Sequence, residues 1–320
     1  MCTQSRLEAQ PGRACGKQKV TMSQTGQHAI PAEFFPPFDI AQPTEPLVPF
    51  VFSSPHSGRL YPPRFLTTSR LTPQALRKSE DCFVDQLFAG VVQLGAPLIS
   101  ARFPRAYLDL NREPYELDPE LVEDPLPAHA NTQSIRVAGG LGTVARIVAD
   151  GEEIYHDRLP LSAVLDRIDA LYFPFHAELA RLISQTHARF GYAILIDCHS
   201  MPSAATAAGG GQRPDIVIGD RFGSSSDPRL ARLVREAFSR RGYDVLMNRP
   251  YAGGYITEHQ GNPARGVHAL QIEINRGLYL DEGNFRPSNR IEVMRTNLNA
   301  ILAEIMSSAG ALFDFRAAAE

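Results

Sequence analysis

The 320-residue chain has no tryptophan and only four cysteines, Cys2, Cys15, Cys82 and Cys198, with no CxxC pair among them. That excludes a disulfide framework and a cysteine-rich zinc site. No apolar run approaches the roughly 18 residues of a membrane span, and the N-terminus lacks the apolar centre of a secretory signal. A cytoplasmic protein without membrane contact is expected. Net charge is only −3, with signs mixed along the chain and no basic run interleaved with aromatics, so nucleic acid is not expected as a partner. Also missing are an HExxH motif, a GxSxG elbow and any internal repeat. The first absence excludes a thermolysin-type site, and the second argues against a serine hydrolase.

What is present is an ordinary globular composition, 43% hydrophobic, long enough for one large α/β domain. Residues 1–45 are rich in Gln, Ser, Thr, Gly and Pro without periodic apolar pattern, and are expected to be a disordered or extended N-terminal segment. Met22 is a candidate alternative start. Residues 46–320 are expected to form a single catalytic domain.

The stretch AILIDCHSMPS, residues 193–203, organises that domain. Its apolar start, residues 193–196, reads as a buried strand that ends abruptly in Asp197, Cys198, His199 and Ser200. Ligands of open α/β sheets bind outside the carboxyl ends of strands, so this polar cluster marks a candidate site. Residues 48–52 repeat the arrangement, an apolar run followed by SSPHSG with His56. Two such strands side by side would deliver both imidazoles to one sheet edge.

Thr72 and Pro73 read as the start of a helix that runs to Gly95, with Leu76, Val84, Leu87, Phe88 and Val91 on one stripe and the acids Glu80, Asp81 and Asp85 nearby. Residues 96–100 and the alternating AYLDLNR, residues 106–112, read as strands, the latter with Tyr107, Asp109 and Asn111 on one face. Residues 113–153 are loop-like, and long irregular segments in compact domains are usually functional or mobile. Residues 161–190 carry a helical stripe with a kink or break expected near Pro174. Further strands are expected at 215–218, 244–247 and 268–274, with helices opened by Asp227 and Pro228 and spanning about 288–308. In HALQIEIN the polar Gln271, Glu273 and Asn275 share one face, which is costly in a buried strand unless that face lines a wet site.

Histidine, carboxylate and histidine from separate strand ends make a common three-ligand zinc set whose open fourth position suits catalysis. His56 and His199 are the candidate ligands. Asp197, two residues before His199 on the same strand face, is a candidate to orient that imidazole from behind. His259 is a candidate for substrate contact or a plain loop residue. His129, His156 and His187 read as surface residues, and His176 as packing on a helix.

Together SSPHSGRLYP, SEDCFVDQLF, RAYLDLNREP, ILIDCHSMPS, GGYITEHQGNP and ALQIEINRGLYLDE resemble the N-formylglutamate amidohydrolase (deformylase) family, in family order from about Val48 to about Ala300. The resemblance implies a fold similar to zinc carboxypeptidases and aspartoacylases: a three-layer α/β/α, phosphorylase/hydrolase-like architecture with a mixed, mostly parallel central sheet. It implies a Zn²⁺ ion, or another divalent metal, held by His56, Asp81 and His199, with Glu80 and Asp85 as competitors for the acid. Glu273 corresponds to the family's late strand glutamate, the expected general base. Asn111 and Arg112 resemble a pair that grips a substrate carboxylate, and an Arg fork suits such a group. Arg146 is a second candidate anion contact, and His259 or an arginine is expected to steady the oxyanion.

The implied reaction is hydrolysis of a small acidic N-formyl or N-acyl amino acid, with N-formyl-L-glutamate first. Members acting in histidine breakdown carry a Trp after the motif's acid, where this chain reads SEDCFVD. That departure points to a wider branch acting on other N-formyl or N-acyl acids. Aspartoacylase-like or carboxypeptidase-like hydrolysis is the nearest competing activity, and a catalytically silent binding protein is the rival from another class. Retention of both histidines, the acid and Glu273 argues against the latter.

Overall fold

The computed structural model describes residues 28–148, 151–206 and 213–313. The expected disorder of the first residues and the Met22 start fall on residues 1–27, outside the described residues. Residues 28–45 contribute strand β1 (Phe38–Ala41), so the sheet begins ahead of residue 46. The other strands are β2 (Phe50–Ser54), β3 (Leu98–Ala101), β4 (Ala193–Met201), β5 (Ile216–Gly219), β6 (Val245–Met247) and β7 (Val267–Asn275).

These seven strands form one sheet in the order β1-β3-β2-β4-β7-β5-β6. β3, β2, β4 and β7 are mutually parallel, whereas β1 and β5 pair antiparallel to β3 and β7. The sheet is therefore mixed and mostly parallel, with helices on both faces.

Strand alternation sorts the core into two layers. Ile194, Ile196 and Cys198 of β4, with Leu270, Ile272 and Ile274 of β7, pack in the cluster that includes residues of the helices Pro228–Arg240 and Ile291–Phe313. Ala193, Leu195 and Ala269 point the other way, into the cluster shared with the helix Phe173–Phe190. Continuing along that second face at every second residue leads to Asp197 and His199 on β4 and to Gln271 and Glu273 on β7. The apolar face thus becomes the polar site within two residues.

β4 is longer than expected from its apolar run. It extends through Met201 with all nine residues buried, paired in register with β7 along its whole length. A strand with parallel neighbours on both sides has its backbone groups satisfied by the ladder, so polar side chains do not end it.

Two other expectations are corrected. The helix expected from Thr72 to Gly95 is broken: Thr72 does cap Pro73–Leu76, but a 3₁₀ turn, an extended Glu80 and a left-handed Phe83 (φ 63°) separate it from Val84–Leu87. Tertiary bonds at the break override helix periodicity, as the Asp81 N–H donates to the His56 carbonyl and the Tyr279 hydroxyl to the Cys82 carbonyl. Residues 106–112 are turns rather than a strand, because the Asp109 carboxylate accepts from the Asn111 N–H at 2.8 Å and closes a local turn. The break near Pro174 is a π-helical segment, Ile168–Tyr172, between the helices Leu161–Arg167 and Phe173–Phe190. Tyr172 at its end and His176 beyond it hold the turns in place through the carbonyls of Arg112 (2.6 Å) and Leu110 (2.9 Å).

Candidate active site

A pocket of ≈ 570 Å³ opens at the carboxyl ends of β2, β4 and β7. His56 follows β2, His199 stands on β4, and Asp81 sits in the helix break, where its own N–H is tied to the His56 carbonyl at 2.9 Å. The three are buried, and one ligand atom from each lies within 4.8 Å of the others. Donors around a tetrahedral zinc lie about 3.4 Å apart, so this spacing suits such an ion.

The imidazoles are aimed from behind. His56 Nε2 lies 2.7 Å from Asp109 Oδ1, and His199 Nε2 lies 2.8 Å from Asp197 Oδ2. Burial opposes ionisation of Asp109, but Arg105 and Arg112 hold its carboxyl well below the usual range. Ionised, it only accepts, so His56 Nε2 carries a proton and Nδ1 is the nitrogen turned toward the cluster. That Nδ1 is buried and has no hydrogen-bond partner; it faces Asp81 Oδ2 at 3.5 Å. His199 Nδ1 is 2.9 Å from the same oxygen. Burial disfavours charge on His199, yet Asp197 and Asp81 raise its pKa well above the ordinary value, so a proton bridges His199 and Asp81 in the metal-free protein. An orphaned imidazole nitrogen and a shared proton are what a cation at this point would replace. The donor set fits a metal ion.

The second oxygen of Asp81 is held separately. Arg276 Nη2 donates to Oδ1 at 2.9 Å, and its Nε donates to the Ser200 hydroxyl at 3.1 Å. Glu273 pairs directly opposite His199 across β7 and β4. Its Oε1 accepts from Gln271 Nε2 at 2.8 Å, while Gln271 Oε1 accepts from the Gly254 N–H. Burial first, and the nearby Asp81 charge second, push the Glu273 carboxyl up to about 7 against the pull of His199, Arg105 and Arg276. A carboxylate so poised takes and returns a proton near neutrality.

The model of the N-formylglutamate amidohydrolase family matches residues 48–280. The chain belongs to this family. It is 31% identical over 239 residues to an N-formylglutamate deformylase of Pseudomonas aeruginosa, covering 73% of this chain and 83% of that one. An N-formylglutamate deformylase of Pseudomonas putida is 28% identical over 242 residues, with the same coverage. Among solved structures, the N-formylglutamate amidohydrolase of Ralstonia eutropha JMP134 superposes with a TM-score of 0.79 at 34% identity, covering 85% of this chain and 99% of that one.

In this member of the amidohydrolase family the competing acids are occupied elsewhere. Glu80 bonds Arg77 and Tyr61, and Asp85 makes a two-point bond with Arg59. Asn111 and Arg112 both line the pocket but differ in freedom. The Asn111 amide reaches Asp197 and His199 from Nδ2 and accepts from the Ile256 N–H through Oδ1 at 2.7 Å, so it is a brace. Gly254 is required beside it, since a Cβ there would lie 2.3 Å from Asn111 Nδ2. Arg112 Nε and Nη1 donate to the Leu141 and Asn111 carbonyls, leaving Nη2 with a 3.4 Å contact to Asp109.

Two expected contacts lie outside the pocket. Arg146 is paired with Asp118, Glu120 and Glu153. His259 is exposed on the helix Tyr255–Gln260 and stacks on Tyr255. Sequence reasoning gave no role to Asp109, Arg105 or Arg276. Their signal was adjacency: Asp109 alternates with Asn111, and Arg276 follows the Gln271-Glu273-Asn275 face directly.

Proposed function

We propose that the pocket hydrolyses the amide of N-formyl-L-glutamate to formate and L-glutamate, or that of a closely related small acidic N-acyl amino acid to its carboxylic acid and amino acid. His56 Nδ1, His199 Nδ1 and Asp81 Oδ2 would hold a zinc ion. An ion there would supply Lewis-acid polarisation and a lowered water pKa. Glu273 accepts the proton of the attacking water and delivers it to the amide nitrogen as the carbon–nitrogen bond breaks. Arg105, which lines the pocket and donates to Asp109 at 2.9 Å, offers the positive charge that a developing oxyanion needs. Arg112 takes the α-carboxylate, and Asn111 and Asp197 keep His199 in position.

The observation that carries this reading is the pairing of Glu273 with His199, which sets a proton acceptor beside the three-donor cluster. The names of the Pseudomonas relatives support the substrate. Two buried free thiols, Cys82 and Cys198, suit the reducing cytoplasm, the setting we infer.

The test is formate release from N-formyl-L-glutamate by zinc-loaded, chelated and Glu273→Gln protein, with N-acetyl-L-aspartate as comparison. Release should need both the metal and Glu273. Faster turnover of N-acetyl-L-aspartate would reassign the substrate, and release that survives complete chelation would refute the metal-assisted mechanism.

A further inference from the structure

Among the described residues, six cationic side chains line the pocket, and five have close partners. Arg105 bonds Asp109 (2.9 Å), Arg276 bonds Asp81 (2.9 Å), Arg221 pairs with Glu258 (2.7 Å) and Lys78 with Glu152 (2.6 Å). Arg112 is anchored by two backbone carbonyls, both at 2.9 Å. Arg136 differs. Its side chain is 41% exposed, and its ion pair with Glu116 is a long 3.9 Å.

The backbone beneath Arg136 is built to hold it at the pocket wall. It stands on the short helix Ile135–Ala138, whose N-terminus is capped by the Ser134 hydroxyl accepting from the Val137 N–H at 3.0 Å. That helix lies in the long irregular segment that also supplies Leu141, Ala145, Ile147 and Val148 to the lining. Arg136 also acts on Arg112: burial pushes the Arg112 guanidinium down to about 10, and Arg105 and Arg136 add to the effect although Asp109 and Glu116 oppose it. A ligand with one carboxylate would satisfy Arg112 and leave Arg136 with only its long contact. A ligand with two would satisfy both.

We propose that Arg136 binds the side-chain carboxylate of the substrate and so selects acidic over neutral N-formyl amino acids, a specificity role that rests on the deformylase reading above. The substrate's two anionic ends are divided between Arg112, which is buried and pre-set, and Arg136, which is half-exposed and adjusts to the ligand. Selection then acts through binding of a group remote from the reacting carbon, and appears chiefly in KM.

The test compares kcat/KM for N-formyl-L-glutamate and its neutral isostere N-formyl-L-glutamine in zinc-loaded wild type, Arg136→Gln and Arg136→Lys. Wild type should favour the glutamate substrate. In Arg136→Gln the glutamate-to-glutamine ratio should fall roughly 10- to 100-fold, the size of one lost charge-assisted hydrogen bond, with the change in KM. Arg136→Lys should recover most of the ratio. A ratio changed less than threefold in Arg136→Gln, or a wild type indifferent between the two substrates, would overturn the assignment while leaving the deformylase reading intact. Wild type that turns over neither substrate would overturn that reading and this one with it.

Discussion

Replacing Glu273 by Gln should do two opposite things, and both follow from its position on β7. The amide is isosteric and its oxygen can still accept from Gln271, so packing is conserved. What changes is charge. Burial raises this carboxyl from 4.5 to about 7, so between those values the folded, metal-free protein holds a proton that the unfolded chain has released. Stability therefore falls as pH rises through that window, and above pH 7 the full penalty, roughly 3 kcal/mol, is in place. Glu273→Gln removes it. In chelator-treated protein the variant should melt several degrees above wild type at pH 8.5 and close to wild type at pH 4.5. Its zinc-loaded activity should fall by about 10²- to 10⁴-fold, the usual contribution of a positioned base. A variant less stable than wild type at pH 8.5, or one within tenfold of wild-type turnover, would refute the placement of an ionisable base in a desolvated site.

Other outcomes follow from the residues behind the donors. Asp109→Asn replaces the charged acceptor behind His56 Nε2 with a neutral amide, and zinc affinity measured by chelator competition should weaken roughly 10- to 100-fold; unchanged affinity would show that the carboxylate charge does not tune His56. Arg276→Gln leaves Asp81 Oδ1 without its buried cation, so urea unfolding of the metal-free protein should register a loss of roughly 3 kcal/mol. A change below 0.5 kcal/mol would mean water replaces the guanidinium freely. Burial lowers His176 from 6.5 to about 4, against the Leu110 carbonyl that favours its charge. The unfolded state then binds more protons between those values, and wild type should lose up to about 3 kcal/mol as pH falls from 6.5 to 4. His176→Gln should flatten that part of the stability profile, and an unaltered profile would assign the acid sensitivity to other groups.

Much of the site was readable from local pattern. An apolar run that turns polar within one residue marked His199 and His56, and strict alternation in HALQIEIN marked the Glu273 face. These signals are reliable because side-chain direction in a strand has a period of two, which any reader of the chain can count. Caps were equally legible, since Thr72 and Asp227 act through bonds two or three residues away. Periodicity failed where a long-range bond outweighed it. Residues 72–95 look like one helix, but the Asp81 N–H bonded to the His56 carbonyl keeps Asp81 and Cys82 out of it. AYLDLNR alternates like a strand, yet its alternation serves a turn whose apolar residues enter the core and whose polar ones enter the site.

Sequence by itself determined the residue types available for the chemistry and the sheet face that carries His199 and Glu273, because both depend on neighbours one or two positions apart. Tertiary structure set Asp81 rather than Glu80 or Asp85 beside the histidines, and it alone decided which nitrogen each ring presents and which arginines remain open to a ligand. The partners in those choices are far apart in the chain, 118 residues for Asp81 and His199 and 53 for His56 and Asp109. The parallel packing of β3, β2 and β4, with the bond from the Asp81 N–H to the His56 carbonyl, brings them within bonding distance, and no periodicity records a contact made across a sheet.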